Sequence, residues 1–505
     1  MPKRNTISPV QGLSALRLFS IFGFHPSPTP TLLPYPMSAP IKFGTDGWRG
    51  VIARDYTFDN LSRVADAMAE WVKTQAGADR PQVMIGYDTR FQGTAFTEHV
   101  ANRLAHHGVK VFLSPGFVST PMVSLATLQR QCHAGVVITA SHNPPSYNGF
   151  KVKGHFGGPA FPSMIADLEQ RIPDQAPELE NNMEEWEDSR QVEYYDMEAL
   201  YLNHVKQAID LKAIHESGLK IGYDAMYGAG QRAFTKLFPQ AQVLHCVPNP
   251  GFMGQAPEPI ERNLSQLQHL VREHNLDFGL ANDGDADRIG LFNEKGEFVD
   301  SHHIILLLIH YLAGIKKQKA KVIVTFSCTD KIRKLCEHYG LPLEVTKIGF
   351  KYIGELMQQE DVLVGGEESG GIAVKGHVPE RDGIFIGLVI LEMMAATGKS
   401  LTQLVEDVYA LTGSFSVQRN DLHLPEEQKQ AVMKQCREGG FKAFGAYTVQ
   451  EVQDKDGFKF LFEGGEWVLI RPSGTEPVLR IYAEGADRKA ADAILAAVVQ
   501  TIVPA

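Results

Sequence analysis

The sequence predicts an α/β protein of several domains, and three observations lead to this fold class. The chain has 505 residues, whereas a single hydrophobic core stops growing at roughly 250–300 residues. Strand and helix signals alternate with short polar joins, which is typical of βαβ units. The core strand at Val83–Asp88 is echoed at Leu219–Asp224 and at Lys321–Phe326. These separations are domain-sized and indicate three related α/β domains, unless the likeness of the strands is chance.

Hydrophobic spacing predicts the elements of the first half of the chain in turn. Apolar residues recur every three or four positions in a helix, and a short run of branched residues marks a buried strand. The predicted helices are Phe58–Thr74, Phe96–His107 and Met197–Ile209, and the predicted strands are Val83–Tyr87, Lys110–Leu113 and Ala134–Ile138.

The region from about Asn420 onward has a different pattern. Strands rich in β-branched and aromatic residues are predicted at Trp467–Arg471 and Leu479–Tyr482. An amphipathic helix is predicted over Lys489–Ile502. This region is therefore predicted to form a smaller α+β domain.

Two segments are predicted to lie outside these regular patterns. Residues 1–40 are rich in proline and contain no Asp or Glu, which favours a disordered or non-native extension over a targeting segment. The acidic run Pro177–Asp188 is predicted to be a solvated insertion and not a metal site. The resulting division is an extension over 1–40, α/β domains over 41–195, 196–299 and 300–412, and a last domain over 413–505.

Composition and charge argue against several classes of function. The net charge of −10 argues against nucleic-acid binding, because neutralising phosphates requires a basic face. The five scattered cysteines lack disulfide or zinc-site spacing, which predicts a reducing, cytoplasmic location. The strongest apolar run, Ile304–Ile309, is far shorter than the ~20 residues that span a bilayer, so no membrane partner is expected.

The first loop with chemistry follows the predicted strand Ala134–Ile138. Ser141 and His142 stand on a turn that Pro144 and Pro145 make stiff. A hydroxyl with few rotamers at a strand end is suited to act as a nucleophile or as a site of phosphorylation. A serine that simply caps the next turn is the alternative.

The second loop carries Asp283, Asp285 and Asp287 at alternate positions. Three carboxylates this close repel one another unless a cation lies among them, and their oxygens are the ligands that Mg²⁺ prefers. An EF-hand needs Gly at the sixth loop position and Glu at the twelfth; Glu294 matches the second requirement, but Arg288 stands where the glycine is needed, so that alternative fails. The loop predicts a divalent-metal site, with a solvated acidic turn as the weaker interpretation.

Two further loops are suited to a phosphorylated sugar. The glycine-rich segment Val364–Gly371 presents Glu367 and Ser369, which suit a pair of sugar hydroxyls. The segment Arg471–Pro477 groups an arginine, two hydroxyls and a glycine into a nest that fits a phosphate dianion. Each segment alone is also consistent with an ordinary turn, and Arg480 with a surface charge.

Taken together, the loops resemble the α-D-phosphohexomutase family. The motifs that carry the resemblance are Thr139–Pro145 with Asn148–Lys151, Asp283–Arg288, Gly366–Gly370, Arg471–Pro477 and an N-terminal signature at Phe43–Gly50. The resemblance covers roughly residues 41 to 505. It implies four domains around a central cleft: three related α/β domains with mixed sheets, and a C-terminal α+β domain like the TATA-box-binding protein.

The resemblance also implies a reaction and a role for each site residue. The family moves a phosphoryl group between O1 and O6 of a hexose phosphate through a phosphoserine and a sugar bisphosphate. Ser141 would be the phosphoserine and, with the three aspartates, a ligand of Mg²⁺. Arg49, His142 and Lys151 would stabilise the transferred group or move the hydroxyl proton. The implied substrate contacts are Arg288, Lys347, Glu367, Ser369, Arg471, Ser473, Gly474, Thr475 and Arg480.

The sugar loop favours glucose among the substrates of this family. It has Glu368 between Glu367 and Ser369, as in glucose-type members, and Gly371 where other members have histidine. The resemblance thus implies glucose phosphates as substrates and glucose 1,6-bisphosphate as the activating intermediate. The alternatives are mannose or glucosamine phosphates, a Mg²⁺-dependent sugar phosphatase, and a non-catalytic sugar-phosphate sensor. A hexose phosphate is the expected partner, and a monomer or homodimer is the expected assembly.

Overall fold

The structure is a computed structural model in which residues 41–175, 191–472 and 478–503 are described. These residues form four β-sheets. The predicted extension 1–40, the acidic run Pro177–Asp188 and the predicted phosphate contacts Ser473, Gly474 and Thr475 lie outside the described residues.

The first sheet is mixed. Its strands are β1 (Trp48–Val51), β2 (Gln82–Tyr87), β3 (Lys110–Leu113), β4 (Ala134–Ile138), β5 (Tyr147–Gly154) and β6 (Val192–Tyr194). The order is β1-β5-β4-β2-β3-β6; β3, β2 and β4 are parallel, and β5 is antiparallel to β4. The helices of this region are α1 (Phe58–Ala76), α2 (Gly93–His106), α3 (Thr120–Gln129) and α4 (Pro162–Gln170). The helices and strands predicted for this region are confirmed.

The second sheet repeats this arrangement. The helices of this region are α5 (Met197–Ala208), α6 (Leu211–Glu216), α7 (Gln231–Leu237) and α8 (Ser265–Glu273). The strands are β7 (Ile221–Asp224), β8 (Gln242–Leu244), β9 (Phe278–Asn282), β10 (Ile289–Asn293) and β11 (Phe298–Val299), with short 3₁₀ turns at Phe252–Gly254 and Glu261–Asn263. Strands β8, β7 and β9 are parallel, and β10 is antiparallel to β9. The helix predicted near residue 197 is confirmed as α5.

The third sheet has the same pattern again. Its strands are β12 (Lys321–Thr325), β13 (Leu343–Thr346), β14 (Val362–Gly366) and β15 (Ile372–Val374). Strands β13, β12 and β14 are parallel, and β15 is antiparallel to β14. The helices of this region are α9 (Ser301–Ile309), which continues as a π-helical segment over His310–Ile315, α10 (Lys331–Tyr339), α11 (Phe350–Gln359), α12 (Gly383–Thr397) and α13 (Leu401–Thr412).

The three mixed sheets therefore share one unit of three parallel strands and an antiparallel fourth. The echoed sequences lie in β2, β7 and β12. Each of these is the middle one of the three parallel strands of its unit. Equivalent positions in a repeated unit bury equivalent residues, which explains why the same apolar strand sequence recurs. The prediction of three related α/β domains is confirmed.

The fourth sheet is antiparallel throughout. Its strands are β16 (Ser416–Leu422), β17 (Ala443–Phe444), β18 (Tyr447–Gln453), β19 (Phe458–Phe462), β20 (Trp467–Pro472) and β21 (Leu479–Gly485). Their order is β16-β21-β20-β19-β18-β17. Helices α14 (Glu426–Arg437) and α15 (Arg488–Ile502) accompany it. The C-terminal strands and helix predicted from the sequence are confirmed.

The first three sheets share one continuous buried core, whereas the fourth sheet has its own. Met84, Ile221 and Val322 belong to the shared core, although they come from three different sheets. A smaller cluster joins the fourth sheet to the third and consists of Phe326, Trp467, Leu469 and Tyr482. No single described helix is long and apolar enough to cross a membrane; α12 and α13 reach that length only together, across an 88° bend.

Candidate active site

Three of the four predicted loops are equivalent hairpins of the three mixed sheets. Ser141 lies between β4 and β5, Asp285 between β9 and β10, and Glu367 between β14 and β15. In each sheet this loop joins the third strand of the unit to the antiparallel fourth. An isolated bridge between Arg288 and Gly371 connects the metal loop to the sugar loop. Repetition of one unit therefore places three loops of different chemistry at corresponding ends of three sheets.

The Ser141 hydroxyl is buried and bonded to the first aspartate. It donates a hydrogen bond to Asp283 Oδ2 at 2.7 Å, and the residue is 1% exposed. Its backbone has a φ of +53°, a left-handed conformation that costs roughly 1–2 kcal/mol for a residue with a Cβ. Gly284 packs against its carbonyl, because an added Cβ would lie 2.5 Å from that oxygen. The two loops fit together only with glycine at position 284.

A buried ion pair, which the sequence analysis missed, holds the serine loop in this shape. Arg90 donates hydrogen bonds of 2.6–3.1 Å to four backbone carbonyls between Ser141 and Tyr147. Asp88 accepts from the Arg90 amide and from the Thr139 hydroxyl, and Thr139 accepts from the Ser141 amide. Burial raises the pKa of Asp88 to about 6, against the charge of Arg90. The only sequence signal of this ion pair was the position of Asp88 at the end of a predicted core strand.

Three buried aspartates form the candidate metal centre. Carboxylate oxygens of Asp283, Asp285 and Asp287 lie within 4.8 Å of one another, and the three side chains are fully buried. The Oδ1 atoms of Asp285 and Asp287 are buried and have no hydrogen-bond partner among the described residues. Buried acceptors without a partner are costly unless an ion binds them. A donor set made only of oxygen suits a hard divalent cation such as Mg²⁺.

Lys151 bonds to two of the three aspartates, and the pKa values of Asp283 and Asp285 shift in opposite directions. Its Nζ lies 2.7 Å from Asp285 Oδ2 and 2.8 Å from Asp287 Oδ2. Burial acts to raise the pKa of Asp285, but Lys151 outweighs it and lowers that pKa. Burial, followed by repulsion from Asp285 and Asp287, raises the pKa of Asp283 well above its usual value. Burial acts to lower the pKa of Lys151, but its carboxylate neighbours raise it overall and keep the ammonium charged.

A second buried cation, Arg381, also joins this centre and was missed by the sequence analysis. Its guanidinium lies 2.7 Å from Asp287 Oδ2 and pairs with Asp46, and Asp46 lies 2.7 Å from Lys151 Nζ. An added Cβ at Gly371 would lie 2.4 Å from Arg381 Cδ. Gly371, which stands where other members of the family have histidine, therefore leaves room for Arg381.

His142 and Arg49 flank the serine loop. His142 Nδ1 lies 3.5 Å from Ser141 Oγ, and Arg49 donates a hydrogen bond to Asn143. Burial, followed by the charges of Arg288 and Arg49, lowers the pKa of His142 well below its usual value. The imidazole is therefore neutral at neutral pH.

The two predicted sugar ligands have different surroundings. Glu367 is 5% exposed; its Oε1 accepts from the Gly349 amide at 3.0 Å, and its Oε2 lies 4.0 Å from Arg381 Nη1. Burial raises the pKa of Glu367 to about 7, against the charge of Arg381. Ser369, two residues further on, is half-buried.

Glu368, which carries the expectation of glucose, faces the fourth sheet. Its carboxylate accepts hydrogen bonds from the Ser327 hydroxyl, from Thr325 Oγ1 at 3.3 Å and from the Tyr482 hydroxyl at 3.3 Å. Thr325 ends β12, whereas Tyr482 belongs to β21. An effect of Glu368 on the sugar therefore passes through the shape of the loop.

The remaining predicted contacts lie around this centre and on the fourth sheet. Arg288 donates its amide to Asp283 Oδ1 at 3.0 Å, and Lys347 is exposed just beyond β13. Arg471 and Arg480 face each other on β20 and β21. Arg471 Nε donates to Asp456 at 3.1 Å, and Arg480 Nε lies 3.8 Å from a carboxylate oxygen of β16. The arginines are thus held by carboxylates of the fourth sheet and its turns.

Comparison with known proteins identifies this fold at the level of the family. Sequence models of phosphoglucomutase/phosphomannomutase match domain I at residues 40–178, domain II at 199–296, domain III at 300–411 and the C-terminal domain at 422–501. The chain belongs to the phosphoglucomutase/phosphomannomutase family, which makes it an enzyme of the phosphohexomutase class. The predicted architecture of three α/β domains and a C-terminal α+β domain is confirmed.

Similar proteins bear several substrate names. A phosphoglucomutase/phosphomannomutase from Thermococcus kodakarensis is 28% identical over 88% of this chain and 94% of its own length. A phosphoglucosamine mutase from Corynebacterium urealyticum is 31% identical over 91% of this chain and 99% of its own. The crystal structure of a "putative phosphomannomutase" from Thermus thermophilus is 34% identical, covers 92% of this chain and 100% of its own, and has a TM-score of 0.81. These names agree on a phosphohexomutase and differ on the sugar.

Proposed function

We propose that the enzyme interconverts glucose 1-phosphate and glucose 6-phosphate by phosphoryl transfer through Ser141. The single observation that carries this proposal is the Ser141 hydroxyl, buried and bonded to an aspartate that stands beside two others and two cations. Phosphoryl transfer depends on positioning and on neutralisation of charge more than on covalent chemistry. The phosphoserine would pass its group to the sugar, and glucose 1,6-bisphosphate would turn around and return its other phosphoryl group to Ser141.

Asp283, Asp285 and Asp287, together with Ser141 Oγ, are the residues that would hold Mg²⁺. The orphaned oxygens of Asp285 and Asp287 support this assignment. A bound cation would neutralise charge on the transferred phosphoryl group. Lys151 orients the two aspartates for this purpose, since its ammonium bonds to their other oxygens. Free cysteines throughout the chain support a cytoplasmic location.

The other site residues divide between the reacting group and the rest of the substrate. Arg49, His142 and Lys151 are proposed to stabilise the transferred group and to move the sugar hydroxyl proton. Glu367 and Ser369 are proposed to hold O3 and O4, which exchange places when the bisphosphate turns, so one clamp serves both orientations. The proposed contacts with phosphate are Arg288, Lys347, Arg471, Ser473, Gly474, Thr475 and Arg480.

The preference for glucose rests on Glu368 and Gly371. Glu368 ties the sugar loop to Tyr482, and Gly371 admits Arg381 beside Glu367. The second candidate is a mannose or glucosamine phosphate, which the names of the relatives described above favour.

A kinetic comparison tests the choice of sugar. We expect kcat/KM for glucose 1-phosphate to exceed that for the 1-phosphates of mannose and glucosamine by at least about tenfold, ~1.4 kcal/mol. Each assay contains a trace of the matching bisphosphate. Near-equal values would remove the glucose preference, and a higher value for glucosamine would reverse it. Accumulation of free phosphate in place of the 6-phosphate would instead support the phosphatase alternative.

A further inference from the structure

We infer that Asp456 is a positioning residue that aligns the phosphate-binding arginine of the fourth sheet with the sugar loop of the third. Asp456 lies in the turn between β18 and β19. Its Oδ2 accepts a hydrogen bond from the Ile348 amide at 2.8 Å, and its Oδ1 accepts one from Arg471 Nε at 3.1 Å. One carboxylate is thus shared between two regions that are proposed to hold the same substrate. The inference rests on the proposed role of Arg471.

The Ile348 amide leads directly to the sugar loop. The next amide, that of Gly349, donates to Glu367 Oε1 at 3.0 Å. Gly349 has a φ of +131°, which glycine adopts far more readily than other residues. The two successive amides of Ile348 and Gly349 thus donate to two different carboxylates. The preceding residue, Lys347, is a proposed substrate contact. A short chain of hydrogen bonds therefore connects Arg471 to Glu367.

The turn is shaped to hold Arg471 in place. Gly457 has a φ of +89°, and an added Cβ would lie 2.7 Å from the Ile470 carbonyl oxygen and 2.9 Å from Arg471 Cβ. The turn therefore packs directly against the strand that carries the arginine. Because Asp456 engages Nε, it fixes the plane of the guanidinium and directs the terminal nitrogens elsewhere. Those nitrogens are the ones that bind phosphate oxygens in pairs.

A purely structural role for Asp456, docking of the fourth sheet, predicts a different result. The apolar cluster around Trp467 and Tyr482 already joins the two sheets, and the Asp456 side chain is 22% exposed. Exposed polar contacts contribute little to stability compared with buried apolar area. Loss of Asp456 should therefore leave the interface packed and act on substrate affinity.

The first test compares Asp456→Ala with Asp454→Ala, which removes the same charge from an exposed position of the same turn. We expect Asp456→Ala to raise KM for glucose 1-phosphate about tenfold while kcat stays within about twofold, since the contact serves binding in both ground and transition states. Asp454→Ala should behave as wild type. Asp456→Asn keeps one of the two acceptor oxygens, so its KM should lie between those of Asp456→Ala and Asp454→Ala. If the alanine variant fails to fold, the KM of the asparagine variant serves as the test. A KM for either Asp456 variant equal to that of the control would overturn the inference.

The second test repeats Asp456→Ala in an Arg471→Ala background. If Asp456 acts through Arg471, the second substitution adds less than about twofold to KM, because coupled residues are not additive. A further tenfold rise would show an independent effect and overturn the inference. Arg471→Ala alone separates the inference from the proposed function. If Arg471→Ala leaves KM unchanged, Arg471 does not bind the phosphate and the proposed function loses this site. If Arg471→Ala raises KM but Asp456→Ala does not, only the role of Asp456 is refuted.

Discussion

The serine and metal half of the site and the phosphate half are built in opposite ways. Asp285 and Lys151 are 0% and 1% exposed, and both bond directly to oppositely charged groups. The side chains of Arg471 and Arg480 are 17% and 21% exposed. A buried charge that loses its partner costs several kcal/mol, whereas a pair near the surface contributes ~0–1 kcal/mol. Burial therefore fixes the groups proposed to react, which form the buried half of the site. The groups proposed to hold the distant phosphate form the exposed half and depend on a few aligned contacts.

This difference predicts that catalysis and substrate affinity respond to different substitutions. A substitution in the buried half removes charge balance, so it should affect chemistry and folding together. A substitution in the exposed half leaves the cores intact and should act mainly on KM. Asp456 is informative because it belongs to the exposed half but bonds to the Ile348 amide, and the next amide of that loop bonds to the buried Glu367.

Ser141→Ala should have the largest effect. It removes the proposed phosphoryl carrier, so kcat should fall by at least about 10³-fold. The fold should persist because the side chain is small and contacts only Asp283 at 2.7 Å and His142 at 3.5 Å through its hydroxyl. Intact mass spectrometry after incubation with glucose 1,6-bisphosphate should show one added phosphoryl group on the wild type and none on the variant. Full turnover by the variant would refute the phosphoserine and, with it, the assignment of chemistry to the buried half.

Lys151→Met should have the next largest effect, on stability. It leaves Asp46, Asp285 and Asp287 without their shared ammonium, which should lower the free energy of unfolding by about 3–5 kcal/mol. The matched control is Lys375→Met, which breaks an exposed pair with Asp361 and should cost about 0–1 kcal/mol. Urea unfolding in the presence of a chelator measures both. Equal losses would break the comparison between buried and exposed halves.

The sequence predicted the parts of this site that have local signals. Ser141 and the three aspartates each stand on a short segment next to an apolar strand, which made them candidates, and the family resemblance gave them their expected roles. Arg90 and Arg381 were not predicted as site residues, because a lone arginine in a loop has no local sequence signal. Arg381 pairs with Asp46, which lies 335 positions away in the chain, and only the tertiary structure brings the two together.

The structural equivalence of the three hairpin loops likewise could not be predicted from the sequence. The echo between β2, β7 and β12 survived because core strands in equivalent positions bury similar residues. The hairpins of the same units carry Ser141, the three aspartates and Glu367, and these different residues leave no common sequence. The repeat is therefore visible in the strands and is lost in the loops that it positions.

Arg90→Lys should have a moderate effect confined to catalysis. Lysine keeps a positive charge beside Asp88 but cannot reproduce the planar fork that bonds four carbonyls of the serine loop. The Ser141 hydroxyl should lose its fixed position, and kcat should fall by about 30-fold with little change in KM. Arg54→Lys, in an exposed pair with Asp55, is the control and should retain wild-type kcat. A normal kcat for Arg90→Lys would mean that Gly284 and the prolines shape the loop unaided.

Glu367→Gln should change the pH dependence of stability. Burial raises the pKa of Glu367 to about 7, above the ordinary ~4.3 of a glutamate in the unfolded chain. Between these values the folded protein holds a proton that the unfolded chain releases, so this group favours folding more as pH falls. The slope is at most about 1.4 kcal/mol per pH unit. The glutamine variant lacks this term, and its stability relative to wild type should therefore increase as pH rises from about 4.5 to about 7 and then level off.

Unfolding in urea at several pH values measures this difference, with Glu463→Gln, at an exposed position of the fourth sheet, as the matched control. A difference between Glu367→Gln and wild type that stays constant over the same range would mean that Glu367 is ionised throughout. Arg381, 4.0 Å away, would then compensate burial in full. The sugar loop would in that case resemble the serine and metal half, where buried carboxylates such as Asp285 are paired with a cation.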